Sequence, residues 1–179
     1  IEEGLWTPRN HKFAVVVEET EWGRSWGEEA KKAFEASGWE CAAYEVVKKG
    51  ETDLYPVITK LKNLDVSLVL STFSSEQPRV AIVKQSRELG LKAVCVQDGL
   101  GWLTEWYELT GNASNYWIDM IPQWASDKAK EWREKFVRRW GYDPSPATVG
   151  LQIDYTLITL KAIELAGGVE DPDKIADVL

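Results

Sequence analysis

Side chains able to bind or react cluster in this sequence directly after apolar runs that are typical of buried β-strands. The first such run, Phe13–Val17, leads into an acidic turn and then Trp22. An acid among aromatic rings suits a cationic or ammonium-bearing small molecule, through ion pairing and cation–π contact. The acidic, aromatic and hydroxyl residues at the run ends are Glu19, Trp22, Ser71, Thr72, Phe73, Ser74, Ser75, Asp98 and Trp102.

Several of these residues also fit ordinary structural roles. Ser75 and Glu76 stand where a following helix needs its N-cap and its first-turn acid, and for them the structural role is favoured. Asp98 precedes Gly99, and Asp-Gly is a common turn pair. For Asp98 the sequence leaves both the turn role and a ligand contact open.

Motifs of the common enzyme mechanisms do not occur in the sequence. It contains no Gly-x-Ser-x-Gly elbow, no P-loop and no Gly-x-Gly-x-x-Gly fingerprint after the first strand. The single histidine, His11, belongs to no cluster with metal-ligand spacing. We therefore expect a non-enzymatic protein without cofactor or metal, and a flavodoxin-like or nucleotide-dependent enzyme is the least supported alternative.

Predicted strands and helices alternate along the chain. The predicted strands are 12–17, 41–47, 66–72, 92–96 and 116–121. The predicted helices are 24–37, 53–64, 78–89, 105–109, 126–140, 148–166 and one that begins at Asp171. This alternation predicts an α/β fold with a parallel sheet and helices on both faces. Ligands of such sheets bind at the carboxyl ends of the strands, where the candidate residues lie.

The composition is that of about one ordinary domain with an acidic balance. The chain has 179 residues and a formal net charge of −8, and the lack of a basic patch argues against a nucleic-acid partner. No apolar run reaches the ~20 residues that span a bilayer. The chain does not begin with Met, so we interpret it as a fragment or processed piece whose missing signal peptide does not exclude export.

Cysteine and tryptophan usage adds two further expectations. Cys41 and Cys95 fall in strands that should not be neighbours, so we expect two small buried side chains rather than a disulfide. The sequence has ten tryptophans, and burial explains most of them. Trp22 and Trp102 stand in predicted loops at strand ends, where burial and ligand contact are equally open.

Short motifs, in order along most of the chain, resemble the type I periplasmic solute-binding proteins of the Leu/Ile/Val-binding branch, the receptors of amino-acid ABC importers. The acidic turn with Trp22 and Gly23 is similar to the acidic turn, Tyr-Gly and helix of that family. The other matching motifs are GETDL at 50–54, LDV at 64–66, QSRELGLK at 85–92, WGYDPS at 140–145 and Tyr155 in the helix that follows.

The resemblance implies a receptor with two Rossmann-like or flavodoxin-like α/β lobes that close on a ligand about a hinge. It assigns 1–121 to the second lobe and 122–179 to the hinge return and helices of the first lobe, with the amino-terminal segment of that lobe missing from this chain. It further implies an extracytoplasmic protein, periplasmic or anchored at the cell surface. Its partners would be a small solute, an amino acid or related amine-bearing molecule, and the permease of an ABC importer.

The same resemblance suggests which residues contact the solute. Trp22 takes the place of a tyrosine that lines the cleft, and Asp98 takes the place of an acid that receives the α-ammonium of the ligand. Phe73 or Ser74 lies near another aromatic position of the cleft. The expected ligand-binding residues are Trp22, Gly23, Phe73, Ser74, Asp98, Gly99 and Trp102. The alternative function is a sensor domain of the same fold in a transcription regulator or membrane receptor.

Overall fold

A computed structural model describes residues 6–100, 105–120 and 123–179. The strands are β1 Lys12–Glu18, β2 Glu40–Val47, β3 Leu68–Thr72, β4 Val94–Asp98 and β5 Trp117–Asp119. The α-helices are α1 Glu21–Ala36, α2 Tyr55–Asn63, α3 Glu76–Glu88, α4 Trp106–Thr110, α5 Asp127–Trp140, α6 Leu151–Ala166 and α7 Pro172–Asp177. A 3₁₀ turn at Gly111–Ser114 precedes β5, and a π-helical turn at Pro146–Gly150 precedes α6.

The five strands form one parallel sheet in the order β2-β1-β3-β4-β5. The predicted α/β fold with a parallel sheet is therefore confirmed. All strands point the same way, so their carboxyl ends meet at one edge, which we call the carboxyl edge. Cys41 on β2 and Cys95 on β4 lie in strands that are not neighbours, and both thiols are free, as expected. Cys95 is buried as expected, whereas Cys41 is only half-buried.

Helices cover both faces of this sheet, which explains the unbroken apolar run in β1. Phe13, Val15 and Val17 pack into a cluster with residues of α1, such as Phe34. The alternate residues Ala14 and Val16 pack into a second cluster with residues of α2 and α3. Both clusters are buried, so the face on which a strand residue lies determines which helices it meets.

By its internal packing the chain divides into two compact units. Among the described residues, unit 1 comprises 6–100 and 105–120, and unit 2 comprises 123–179. Unit 1 holds the whole sheet, and unit 2 is helical. The assignment of 1–121 and 122–179 to two lobes of a receptor stays a prediction.

Several helix starts differ from the sequence prediction, among them those of α2 and α3. Helix α2 begins at Tyr55, and in the preceding turn the Glu51 carboxylate accepts hydrogen bonds from the backbone N–H groups of Thr52 and Asp53 (2.9 and 3.0 Å). Leu54 occupies the cap position, buried in the core. Helix α3 begins at Glu76 rather than Pro78, and Ser75 stands at its N-cap without a side-chain capping bond.

The entry to α1 also begins earlier than predicted. Thr20 is the N-cap, and its hydroxyl accepts a hydrogen bond from the backbone N–H of Gly23 at 3.0 Å. Gly23 thus lies inside the first turn of α1. A Cβ atom at this position would stand 2.3 Å from the carbonyl oxygen of Glu18, which is closer than carbon and oxygen approach without bonding. The backbones of β1 and α1 therefore meet at Gly23.

We predict that Gly23→Ala destabilises unit 1 by about 1–3 kcal/mol, the usual cost of forcing extra atoms into a packed site. Ser25→Ala is the matched control, because Ser25 is exposed on the same helix. Urea unfolding followed by circular dichroism measures both variants. Equal midpoints for the two variants would contradict the close approach at residue 23.

Candidate functional site

A buried carboxylate closes the carboxyl end of β1. Glu18 is fully buried, and its carboxylate accepts hydrogen bonds from the backbone N–H groups of Gly50 (3.1 Å) and Ser74 (3.0 Å). The hydroxyls of Ser74 and Ser75 also donate to it, Ser75 at 2.8 Å. Gly50 follows β2 and the serines follow β3, so one side chain joins the ends of three adjacent strands.

These donors decide the charge state of Glu18. Burial raises the pKa of a carboxyl group, because the charged form loses its hydration. The hydrogen bonds from Ser74, Ser75 and Gly50 outweigh that effect and leave the pKa of Glu18 below its ordinary value. Glu18 is therefore a charged buried group at neutral pH, and Ser75 contributes its hydroxyl to this carboxylate rather than to the helix cap predicted from the sequence.

A buried guanidinium makes the equivalent connection one strand further along the sheet. The Nε of Arg79 on α3 donates to the carbonyl of Phe73 at 2.7 Å, and its Nη1 donates to the carbonyl of Gly99 at 2.9 Å. These carbonyls follow β3 and β4. Asp119 on β5 completes the series, because its carboxylate accepts from the backbone N–H of Gly99 at 2.9 Å. Charged side chains thus connect the ends of all five strands.

Trp22 and Asp98 come together at this edge through Thr72. Thr72 and Asp98 are register partners on β3 and β4, so their side chains lie on the same face of the sheet. That face is covered by α1, whose first turn contains Trp22. The indole Nε1 of Trp22 donates to the Thr72 hydroxyl at 3.3 Å, while 57% of Trp22 stays exposed.

Asp98 differs from an ordinary aspartate in its pKa. Burial, followed by the charge of Asp119, raises the pKa of Asp98 above its usual value. The charge of Arg79 and hydrogen bonding with the Thr72 hydroxyl act in the opposite direction. The carboxylate is half-buried, so it combines partial desolvation with access from solvent. That combination favours pairing with a cation.

The remaining predicted site residues are placed differently from one another. Phe73 is 1% exposed and packs in the core, so its ring does not line the edge as expected and only its backbone reaches there. Ser74 is exposed, with its hydroxyl directed to Glu18. Gly99 is buried with φ +82°, a conformation that favours glycine. Trp102 lies outside the described residues.

Sequence reasoning missed Glu18, Arg79 and Asp119 as organising residues of the edge. Arg79 did carry a signal: it shares a helix face with Ile82 and Val83, and a charge on an apolar face demands buried partners. Glu18 and Asp119 carried no comparable signal, because their partners come from distant loops.

This chain is similar in sequence and in fold to known proteins. A family model described as "Periplasmic binding protein" matches residues 4–179. The chain belongs to the periplasmic binding protein family. Among curated proteins, it is 27% identical over 180 residues to "Leu/Ile/Val-binding protein homolog 1" of Brucella abortus, a match that covers 96% of this chain and 46% of that protein. The chain thus spans about half the length of the curated relatives it matches.

Solved structures of similar proteins share the fold of this periplasmic binding protein. A putative branched-chain amino acid ABC transporter protein from Silicibacter pomeroyi matches with a TM-score of 0.82 and 17% identity, covering 99% of this chain and 47% of that one. A leucine-binding protein from Thermotoga maritima matches with a TM-score of 0.78 and 21% identity, covering 94% of this chain and 48% of that one. The α/β architecture is therefore that of periplasmic binding proteins.

Within the residues that the structure describes, no three metal-ligating side chains gather in a group that could hold an ion. Over the same described ranges, no helix is both long and apolar enough to cross a bilayer.

We predict that Glu18→Gln lowers the free energy of unfolding by about 1–3 kcal/mol at neutral pH. The amide NH₂ of glutamine is a donor, so it cannot accept the hydrogen bonds that one carboxylate oxygen of Glu18 accepts from the surrounding loops. The pKa of Glu18 is lowered in the fold, so its contribution is present above the pKa of an unfolded glutamate and is lost as the pH falls through the folded pKa. The variant should therefore show a weaker acid dependence of its urea midpoint than the wild type.

Glu19→Gln is the matched control for that measurement. Glu19 is the next residue, and its ion pair with Arg24 at 3.3 Å is exposed on both sides. An exposed pair of this kind contributes little to stability. Equal losses in the two variants would show that the Glu18 hydrogen bonds do not stabilise the edge.

Proposed function

We propose that the carboxyl edge of this sheet is one wall of the solute cleft in an extracytoplasmic receptor of an ABC importer. The observation that carries the proposal is the pairing of a half-buried acid, Asp98, with an exposed indole, Trp22, through Thr72. The edge is also where parallel α/β sheets bind their ligands. The fold and the family membership agree with this role.

The charges at the edge favour a solute that carries an ammonium group. Asp98 and Asp119 supply two carboxylates, and Arg79 supplies the guanidinium that acts on both. Arg79 is buried and donates to two backbone carbonyls, so its positive charge is not presented at the surface. The carboxylate of Asp98 is half-buried, and it stays accessible to a cation such as the ammonium group of an amino acid or a related amine.

The other residues of the proposed contact set supply shape rather than charge. The Trp22 ring offers an apolar surface and cation–π contact beside the acid. Gly23 allows the close approach of α1 to β1, and Gly99 allows the turn after Asp98. Ser74 is an exposed residue beside these groups, and Trp102 remains a proposed contact from the sequence. The solute is held without chemical change.

The proposed mechanism is closure of two lobes on the solute. A solute that touches both walls stabilises the closed form, because it binds that form more tightly than the open one. The closed form then engages the permease of the importer. Brucella abortus Leu/Ile/Val-binding protein homolog 1 supports an amino acid as the solute by its name.

We predict that Asp98→Asn in the full-length protein raises the Kd for leucine by about thirtyfold, since a hydrogen bond to a charged group contributes about 2 kcal/mol. Calorimetry with leucine and with 4-methylpentanoate, which lacks the ammonium group, measures the effect. The pKa of Asp98 is raised, so the affinity for leucine should fall, as the pH drops, at a higher pH than an exposed aspartate would give.

The control is Glu40→Gln, which removes an exposed carboxylate at the opposite end of the sheet, where β2 begins. It should bind leucine with the wild-type Kd. Unchanged leucine affinity in Asp98→Asn would remove Asp98 from the site. Equal binding of leucine and 4-methylpentanoate by the wild type would contradict an ammonium-bearing solute.

Unit 2 supports a second proposal, that the remainder of the first lobe covers helix α6. The exposed apolar residues of α6 occur on all sides of the helix, a pattern typical of buried helices. They are Tyr155 (58% exposed), Leu157 (52%), Ile158 (53%), Leu160 (58%) and Leu165 (61%). A groove of about 350 Å³ between Trp124, Trp132, Leu151 and Leu157 adds to this apolar surface.

We predict that Leu160→Glu benefits the 179-residue chain, by reducing its self-association, and destabilises the full-length protein. In the 179-residue chain it should reduce self-association measured by sedimentation, because it breaks an exposed apolar face. In the full-length protein it should lower the free energy of unfolding by about 2–5 kcal/mol, because it places a charge in a packed interface. Lys161→Glu, at an exposed polar position, is the control. A full-length protein unaffected by Leu160→Glu would contradict coverage of α6.

A further inference from the structure

Thr72 occupies the central position of the proposed contact region. It is the last residue of β3, which lies between β1 and β4 in the sheet. Its side chain is on the face covered by α1, and the residue is 1% exposed. A hydroxyl buried to this degree needs hydrogen-bond partners. Those partners are the two groups proposed to meet the solute.

One hydroxyl has one hydrogen to donate and lone pairs to accept. The Trp22 indole can only donate, and it occupies a lone pair of the Thr72 oxygen at 3.3 Å. An ionised Asp98 can only accept, and it lies directly across from Thr72 in the register of β3 and β4. The order indole, hydroxyl, carboxylate therefore gives both donors, the indole N–H and the hydroxyl O–H, an acceptor in one directional chain.

We propose that Thr72 is a positioning residue of this site, whose single hydroxyl holds the Trp22 indole and the Asp98 carboxylate in one arrangement. The inference rests on the proposed function, because it gives Thr72 a role through two residues that would touch the solute. Without the hydroxyl, the exposed Trp22 ring loses its partner on β3. Asp98 loses a hydrogen bond that lowers its pKa, while burial and the charge of Asp119 continue to raise it.

The charged groups that act on Asp98 come from two neighbouring elements. Asp119 on β5 disfavours the ionised form, and Arg79 on α3 favours it. Thr72 acts from β3 in the same direction as Arg79. Removal of the hydroxyl should therefore raise the pKa of Asp98 further, so that the carboxyl group binds its proton at a higher pH.

The test compares Thr72→Val with Thr72→Ser in the full-length protein without solute. Valine keeps the shape of threonine and removes the hydroxyl, whereas serine keeps the hydroxyl. The carboxyl carbon resonance of Asp98, followed by NMR across pH, gives the titration midpoint. The indole N–H resonance of Trp22, assigned with Trp22→Phe, reports its hydrogen bond. Circular dichroism checks that both variants are folded.

We expect Thr72→Val to move the Asp98 midpoint to higher pH and to shift the Trp22 indole resonance, with both values near wild type in Thr72→Ser. The leucine Kd at neutral pH should rise on the order of fivefold in Thr72→Val, the effect of one neutral hydrogen bond. The acid limb of leucine affinity should move with the Asp98 midpoint. A folded Thr72→Val variant with wild-type midpoint and indole resonance would overturn the proposal.

The two NMR readouts need no solute, so they separate this inference from the proposed function. If the wild type binds no leucine while Thr72→Val shifts both resonances, the positional role of Thr72 stands and the proposed solute is wrong. If Asp98→Asn abolishes leucine binding while Thr72→Val changes neither resonance nor Kd, the proposed function stands and the role of Thr72 is wrong.

Discussion

The buried charge of Glu18 is the constraint on which the carboxyl edge of this sheet depends. A carboxylate removed from water is costly unless donors replace its hydration. Here the donors belong to Gly50, Ser74 and Ser75, in the loops after β2 and β3. The hydrogen-bond donors of the loops and the Glu18 carboxylate therefore depend on one another, because neither has its partners unless both are in place. Arg79 repeats this arrangement with the opposite charge between β3 and β4.

The polar groups at the edge are of two kinds, buried groups that hold the strand ends and groups that are partly open to solvent. Glu18 and Arg79 are directed to backbone and serine groups of the edge itself, which makes the strand ends a fixed framework. Trp22 and Asp98 lie on the α1 side of the sheet, and both are open to solvent in part. The proposed receptor role would use this combination, since a preorganised wall loses less entropy when it binds a solute. The framework and the accessible pair are linked where Asp119 and Arg79 act on Asp98.

The sequence was sufficient to predict the fold, but it did not reveal which residues hold the carboxyl edge together. The β1 run and its helix predicted a parallel strand covered on both faces, which the structure confirms. Phe73 was misjudged because β3 continues its alternation one residue past its end, which puts the ring on the same face as Val69. The roles of Glu18 and Ser75 were not readable, because their contact joins residues more than fifty positions apart. Local propensity carries no information about such pairs.

The most direct test of this account is a crystal structure of the full-length protein with bound leucine. The account predicts that the leucine ammonium nitrogen lies within hydrogen-bond distance of the Asp98 carboxylate, with the Trp22 ring against the solute and Thr72 bonded to both residues. Leucine bound elsewhere, for example in the groove between Trp124 and Trp132, with Asp98 free of contact, would contradict it.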